Sequence, residues 1–275
     1  MTDPKRIAIA GVAGRMGRQL VAASLRAGHR VTGGSEMPDS PDRETDIGVL
    51  AGLPDPLGLM PSSDPVDAAS EAQVWIDFTA PQATLSALHG LRHTSVQAVV
   101  IGTTGFTALE EGQIQAAASD FAIVKAGNFS LGVNLLTALI RLTAARLGPD
   151  WDIEISETHH RYKVDAPSGT ALMLGQAAAA GRRAPFDQLT RAPYDGPDSA
   201  RAPGEIAFSV RRAGGIIGDH DALFATERET LTLGHRALDR TVFADGAIKA
   251  TEWAMGRPPG LYDMEDVLGL KSSGL

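Results

Sequence analysis

The chain has 275 residues, of which 43 % are hydrophobic and 21 % charged, with a net charge of −8 and no cysteine. A length near twice that of a common domain implies one large domain or two modest ones, and the apolar share excludes wholesale disorder. The acidic balance, with no Lys/Arg block, argues against nucleic acid as a partner, and the lack of cysteine excludes disulfides, thiolate metal sites and cysteine nucleophiles.

The N-terminal apolar stretch Ile7 to Ala10 is broken by Gly11 and Gly14, too early for a signal-peptide core. No window approaches the roughly 18 to 20 apolar residues of a membrane-spanning helix. A cytoplasmic protein with no membrane partner is the expectation. Arg6 to Ala10 reads as a short strand and Gly11 to Gly17 as a glycine-rich turn. Arg15 to Ala27 has a helical pattern, with Met16, Leu20 and Val21 inward and Gly28 as its stop. Arg30 to Gly34 is a second strand closed by Ser35-Glu36. Strand–turn–helix–strand is the opening of a doubly wound α/β domain.

Met37 to Asp67 holds six prolines and reads as an irregular excursion with one short helix. The α/β rhythm then resumes: strand Val74–Phe78, helix Pro81–Leu91, strand Ala98–Gly102, helix Leu109–Ala118 and strand Ala122–Lys125. From Asn128 the texture changes. Leu131 to Leu147 is a long apolar helix, Asp152 to Thr158 alternates as a half-buried strand, and Ser168 to Ala180 is an alanine-rich helix. Ile206–Arg212, Ala222–Thr226 and Glu229–Thr232 read as antiparallel strands, and Val242–Met255 as a helix before a tail of short apolar elements. The division is a dinucleotide-binding domain over 1–130, completed by 241–275, and an α+β domain over 131–240.

Gly11, Gly14 and Gly17 are spaced G-x-x-G-x-x-G rather than the usual G-x-G-x-x-G. The physical demand is the same: a tight turn, close backbone approach to a pyrophosphate, and a helix N-terminus offering free N–H groups. Read alone, three glycines in seven residues are also consistent with a plain turn. The strand before, the helix after, and Glu36 at the end of the second strand favour a dinucleotide. A carboxylate at that place accepts from a ribose 2′-hydroxyl and repels a 2′-phosphate, and Met37 follows it in place of a cation. NADH is therefore the expected cofactor, with Arg15 the cation that would let NADPH in.

The segment Glu157-Thr158-His159-His160-Arg161-Tyr162-Lys163-Val164-Asp165-Ala166-Pro167-Ser168-Gly169-Thr170 joins a strand to a helix. Clustered cations repel unless an anion is expected. Ser168 is an apt N-cap, so the N–H groups of Gly169 and Thr170 open a helix N-terminus sized for a carboxylate. The loop offers an imidazole that titrates near neutral pH, a fixed positive charge and a backbone anion cradle. Adjacent histidines diverge in extended chain, and the sequence offers no further histidine or carboxylate cluster to complete a ligand set, so no metal is expected.

Together these segments resemble the 4-hydroxy-tetrahydrodipicolinate reductase family, also called dihydrodipicolinate reductase. The resemblance runs through Gly11–Gly17, Ile76-Asp77-Phe78-Thr79, Gly102-Thr103-Thr104-Gly105, Asn128-Phe129-Ser130 with Gly132-Val133-Asn134, Glu157–Thr170, and Asp263 to Leu268. It implies a Rossmann domain completed by the C-terminal segment, plus a mixed-sheet domain that binds substrate and builds a homotetramer. It implies reduction of a cyclic unsaturated dicarboxylate by NADH or NADPH with loss of water, in lysine and diaminopimelate biosynthesis. By position, His159 is the proton donor and Lys163 its catalytic partner, while His160, Gly169, Thr170 and Arg240 bind substrate. Gly11, Val12, Ala13, Gly14, Arg15 and Met16 form the nucleotide turn. Gly102, Thr103, Thr104, Ala126, Gly127, Asn128 and Phe129 line the nicotinamide side. The family pattern often has histidine where this chain has Tyr162, and arginine where it has Met37. The junctions near Asn128–Gly132 and Arg240 are candidate hinges. Two other readings stay open: a two-domain NAD(P)-dependent dehydrogenase acting on another small substrate, and a nucleotide sensor without chemistry.

Overall fold

The computed structural model describes residues 3–190 and 200–271. In chain order the first elements are β1 (Arg6–Ala10), α1 (Arg15–Arg26), β2 (Arg30–Ser35), α2 (Ile47–Leu50), α3 (Pro65–Ala68), β3 (Val74–Asp77), α4 (Pro81–Leu91), β4 (Ala98–Ile101), α5 (Ala108–Ala117) and β5 (Ala122–Lys125). There follow α6 (Leu131–Arg146), β6 (Asp152–His159), α7 (Gly169–Gly181), α8 (Phe186–Leu189), β7 (Ile206–Arg212), β8 (Asp219–Ala225) and β9 (Thr230–Arg236). The chain closes with α9 (Thr241–Ala254), β10 (Gly260–Tyr262) and α10 (Met264–Val267). Two compact units result. One runs to Ser130 and takes up Thr241–Val267; the other is Leu131–Arg240, with the described residues after Val267.

The first unit is a six-stranded parallel sheet in the order β10-β5-β4-β3-β1-β2. Its inner strands β1, β3, β4 and β5 are short, mostly apolar and almost wholly buried, as strands covered on both faces must be. Ile7, Ile9, Ile76, Val100 and Val124 pack with Leu20 and Val21 of α1 and Ile248 of α9. The alternate residues Ala8, Trp75, Val99, Ile101 and Ile123 pack with Leu88 and Leu91 of α4 and Ile114 of α5. Each fully buried Ile or Leu contributes roughly 1.5–3 kcal/mol. The order reverses between β1 and β3, and the carboxyl ends of those strands form the crevice in which such sheets bind ligands. The short tail strand β10 extends the sheet beside β5, so the tail does return to this unit as far as Val267.

The excursion after β2 carries more order than one short helix. It has a 3-10 turn at Pro41–Glu44 besides α2 and α3. Asp46 organises it: its buried carboxylate accepts from the amides of Gly48, Val49, Leu57 and Leu59 at 2.7–3.3 Å.

The second unit is a four-stranded mixed sheet in the order β7-β6-β8-β9, packed by α6 and α7 over Ile153, Ile155, Ile206, Ala222 and Phe224. The antiparallel reading holds for β8 and β9, which are longer than expected, but β7 runs parallel to β6. The physical reason lies in the connection. More than forty residues, including α7, separate β6 from β7, enough for the crossover that parallel pairing requires. No helix among the described residues is long and apolar enough to cross a membrane.

Candidate active site

In the first unit, Gly11 takes φ +58°, a left-handed value that favours glycine. A Cβ on Gly17 would run into the Gly11 carbonyl and the Val12 backbone, and one on Gly34 would lie 2.8 Å from the Val12 side chain. These absences let α1 start flush against the end of β1. The Gly14 N-cap has no side-chain hydrogen bond and the first turn no acidic residue, so the positive end of α1 is left for an anion. A cavity of about 620 Å³ opens there, with Gly11, Gly14, Glu36, Asp42, Phe78 and Thr79 in its wall. The Glu36 carboxylate accepts from Ala13 N at 3.1 Å and from Met37 N at 3.0 Å, which ties the end of β2 to the turn. Arg18 donates to the Ala13 carbonyl at 2.7 Å and lies 3.8 Å from Asp42. A dinucleotide fits this set: a glycine cradle, an uncapped helix start, a cavity of ligand size and a carboxylate at the end of β2.

The other cofactor candidates of this unit stand at neighbouring strand ends. A Cβ on Gly102 would run into the Phe78 ring. Thr103 is buried, accepting from Thr79 N at 2.9 Å and donating to Asp77 at 3.1 Å, so its hydroxyl joins β3 to β4 rather than facing a ligand. Thr104 is exposed and close to Gly127. Ala126 packs against the core, and the Asn128 side chain accepts from Ser130 N at 2.8 Å. The Phe129 ring is buried 5.2 Å from that of Phe78, so what Phe129 can offer a nicotinamide is backbone. Val12 is buried, while Arg15 is exposed on the first turn of α1 and Met16 is half-buried. Phe78, Thr79 and Asp42 were missed by the sequence reading, although the first two lie in a motif it quoted.

In the second unit His159 is the last residue of β6 and buried, rather than a loop residue. The inward face of β6 runs Ile153, Ile155, Glu157, His159, so an apolar stripe ends in a carboxylate and an imidazole. Strand pairing sets Arg212 of β7 opposite His159, and His220 of β8 opposite Glu157. Glu157 Oε2 lies 3.1 Å from His159 Nδ1 and 3.8 Å from His220 Nε2. Its Oε1 accepts from Ser168 N at 3.0 Å and from both Nη atoms of Arg212 at 3.2 Å. Ser168 caps α7 by accepting from Ala171 N at 3.2 Å, and its hydroxyl lies 3.3 Å from His220 Nε2. Gly169 and Thr170 open the helix, as the capping argument requires.

In the loop after β6, His160, Lys163 and Pro167 are half-buried, Ser168 is buried and the other residues are exposed. Lys163 Nζ contacts both Asp165 carboxylate oxygens at 2.7 and 2.8 Å. Arg212 fastens the same loop by donating to the Asp165 carbonyl at 2.6 Å. His160 lies beside Tyr162, whose side chain is largely exposed. Arg240 is exposed at the end of this unit.

Burial pushes the His159 pKa down; the Glu157 charge pulls it up, and Lys163, Arg212 and His160 push it further down, with a lowered value the outcome. Burial would raise Glu157, but Ser168, His159 and Arg212 outweigh it and hold the carboxyl below its usual range. His220 is pushed down to about 4, chiefly by burial, and is neutral at pH 7. One ligand atom each from Glu157, His159 and His220 lies within 4.8 Å of the others. The expectation that nothing completes a ligand set with His159 is thus corrected, because strand pairing supplies Glu157 and His220. The cations that depress His159 oppose a divalent ion as well, and one Glu157 oxygen is already committed to Arg212 and Ser168.

Residues 5–129 match the family model described as dihydrodipicolinate reductase, N-terminus, and residues 132–268 the one described as its C-terminus. The chain belongs to the dihydrodipicolinate reductase family. It is 49 % identical over 272 residues to the 4-hydroxy-tetrahydrodipicolinate reductase of Parvibaculum lavamentivorans, covering 98 % of this chain and 100 % of that one. It is 48 % identical over 273 residues to the enzyme of that name from Dinoroseobacter shibae, with the same coverage. Among solved structures, the dipicolinate-bound dihydrodipicolinate reductase of Paenisporosarcina sp. TG-14 is similar with a TM-score of 0.75 at 26 % identity, covering 95 % of this chain and 98 % of that one. An amine dehydrogenase from Mycobacterium smegmatis shares the fold alone, at a TM-score of 0.66 and 15 % identity over 96 % of each chain.

Proposed function

We propose that this chain reduces 4-hydroxy-tetrahydrodipicolinate to tetrahydrodipicolinate with loss of water, using NAD(P)H, in lysine and diaminopimelate biosynthesis. The observation that carries the proposal is the end of β6: a buried imidazole beside a buried carboxylate, a lysine on the next loop and a capped helix N-terminus. The substrate brings two carboxylates. Lys163 exchanges Asp165 for one of them, and the Gly169–Thr170 helix start and His160 supply further donors.

When bound, a reduced nicotinamide supplies the hydride. His159 donates a proton from its ring to the carbanion-like charge that reduction leaves on the substrate. In the free protein its pKa is lowered, so it is poorly charged at neutral pH. A dianionic substrate offsets Lys163, Arg212 and His160, and so favours uptake of the proton to be donated.

NADH is the preferred cofactor. Glu36 and Asp42 face the cavity, and its wall holds no lysine or arginine among the described residues. The enzyme works as a homotetramer in the cytoplasm, as the family resemblance implies.

The test generates the unstable substrate in place, from aspartate semialdehyde and pyruvate with the synthase, and follows loss of reduced-nicotinamide absorbance. Turnover, faster with NADH, is expected. Cofactor binding without turnover overturns the proposed reaction, and equal use of NADPH overturns the preference.

A further inference from the structure

Glu157 and His159 face each other at the end of β6. Both side chains are buried, and Glu157 Oε2 and His159 Nδ1 have no other hydrogen-bond partner. They lie 3.1 Å apart, within the donor–acceptor range of a hydrogen bond. The carboxylate itself has little freedom, because Oε1 is held by the Ser168 amide from α7 and the Arg212 guanidinium from β7. The ring is flanked as well: His220 of β8 stands edge-on to it with centroids 5.0 Å apart. On the far side, a Cβ at Gly218 would come within 3.1 Å of His159 Nε2, so the absence of a side chain there leaves Nε2 clear.

We propose that Glu157 is the positioning residue for His159: its Oε2 accepts the Nδ1 proton, and Nε2 is thereby the atom that meets the substrate. The proposal rests on His159 as proton donor and adds what fixes the tautomer and orientation of its ring. It also gives Arg212 a role. Through Oε1 of Glu157 and the Asp165 carbonyl, one guanidinium ties the ring's anchor to the loop carrying Lys163. The charged and titratable groups around the ring are Glu157 on its own strand, Arg212 on β7, His220 on β8, and His160 and Lys163 on the loop. Glu157 is the one among them that favours the imidazolium.

The test compares Glu157→Gln and Glu157→Asp with the parent. Gln keeps the size and an acceptor oxygen but removes the charge. In Glu157→Gln, kcat is expected to fall by about 10- to 100-fold, part of the roughly 100- to 10,000-fold that a positioned acid contributes. Its high-pH limb should move to lower pH by about one to three units, because an imidazolium without its carboxylate loses its proton sooner. Glu157→Asp restores the charge and should bring the limb back toward the parent, with NADH affinity unchanged in both variants. A limb that stays in place in Glu157→Gln overturns the proposal, whatever happens to the melting temperature. If Glu157→Gln does not fold, ¹⁵N-histidine labelling of the parent decides: neutral His159 carrying its proton on Nδ1 supports the proposal, and on Nε2 overturns it. His159→Gln separates the two claims. Full activity there removes the proton-donor reading, whereas loss there with an unmoved limb in Glu157→Gln removes only the role of Glu157.

Discussion

Replacing His220 by asparagine should make the second unit less sensitive to acid. His220 is 4 % exposed, with Nε2 against the Ser168 hydroxyl and its ring against His159. The unfolded chain binds a proton here near pH 6.5, whereas the folded protein resists until about 4. The stability this difference supports is present above pH 6.5 and is lost as pH falls toward 4, because the unfolded state takes the proton first. Each pKa unit is worth about 1.4 kcal/mol, so a shift from 6.5 to about 4 amounts to about 3 kcal/mol in full and about 2 kcal/mol at pH 5. His159, also lowered, adds in the same direction and stays in place in the variant. The assay is native-state hydrogen exchange of the β6 and β8 amides at pH 7.5 and pH 5, corrected for intrinsic rates, which reads this unit alone. The parent should lose about 2 kcal/mol more opening free energy over that interval than His220→Asn. Equal losses would refute the burial argument.

Two predictions concern the nucleotide turn. Gly17→Ala puts a methyl group onto the Gly11 carbonyl and the Val12 backbone. Forcing α1 off the turn costs about 1–3 kcal/mol, and the NADH Kd from fluorescence titration should rise at least about fivefold. An unchanged Kd would mean that the close helix–strand approach is not needed. Glu36→Gln keeps an acceptor but removes the charge. Like charges about 4 Å apart repel by about 1 kcal/mol even in bulk water, so the NADPH to NADH ratio of kcat/KM should rise at least about fivefold. A ratio that stays put would assign cofactor choice elsewhere.

What the sequence made legible was contiguous. Gly11, Gly14, Gly17 and Glu36 announce the first unit, because a parallel sheet puts its ligand crevice at successive strand ends. Ser168 announces the helix start beside Lys163, because capping is local chemistry. The rest of the second site is assembled by strand pairing. Glu157 was inside the quoted motif, and its i, i+2 relation to His159 was readable as one face of a strand. Arg212 and His220 come from fifty-three and sixty-one positions beyond His159, and only the β6 register with β7 and β8 brings them in. The direction of β7 was misread for a related reason: alternation with period two is the same in parallel and antiparallel strands. The length of the β6–β7 connection, with a helix inside it, was the available clue. The three-residue β10 is too short to carry a pattern of its own.

The most direct measurement is single-turnover reduction by His159→Gln beside the parent, with NADH affinity determined on the same preparations. If the buried ring at the end of β6 is the proton donor, the rate falls by about 100-fold or more at unchanged cofactor Kd. A variant that reduces the substrate at the parent rate would contradict it and move the proton donor away from His159.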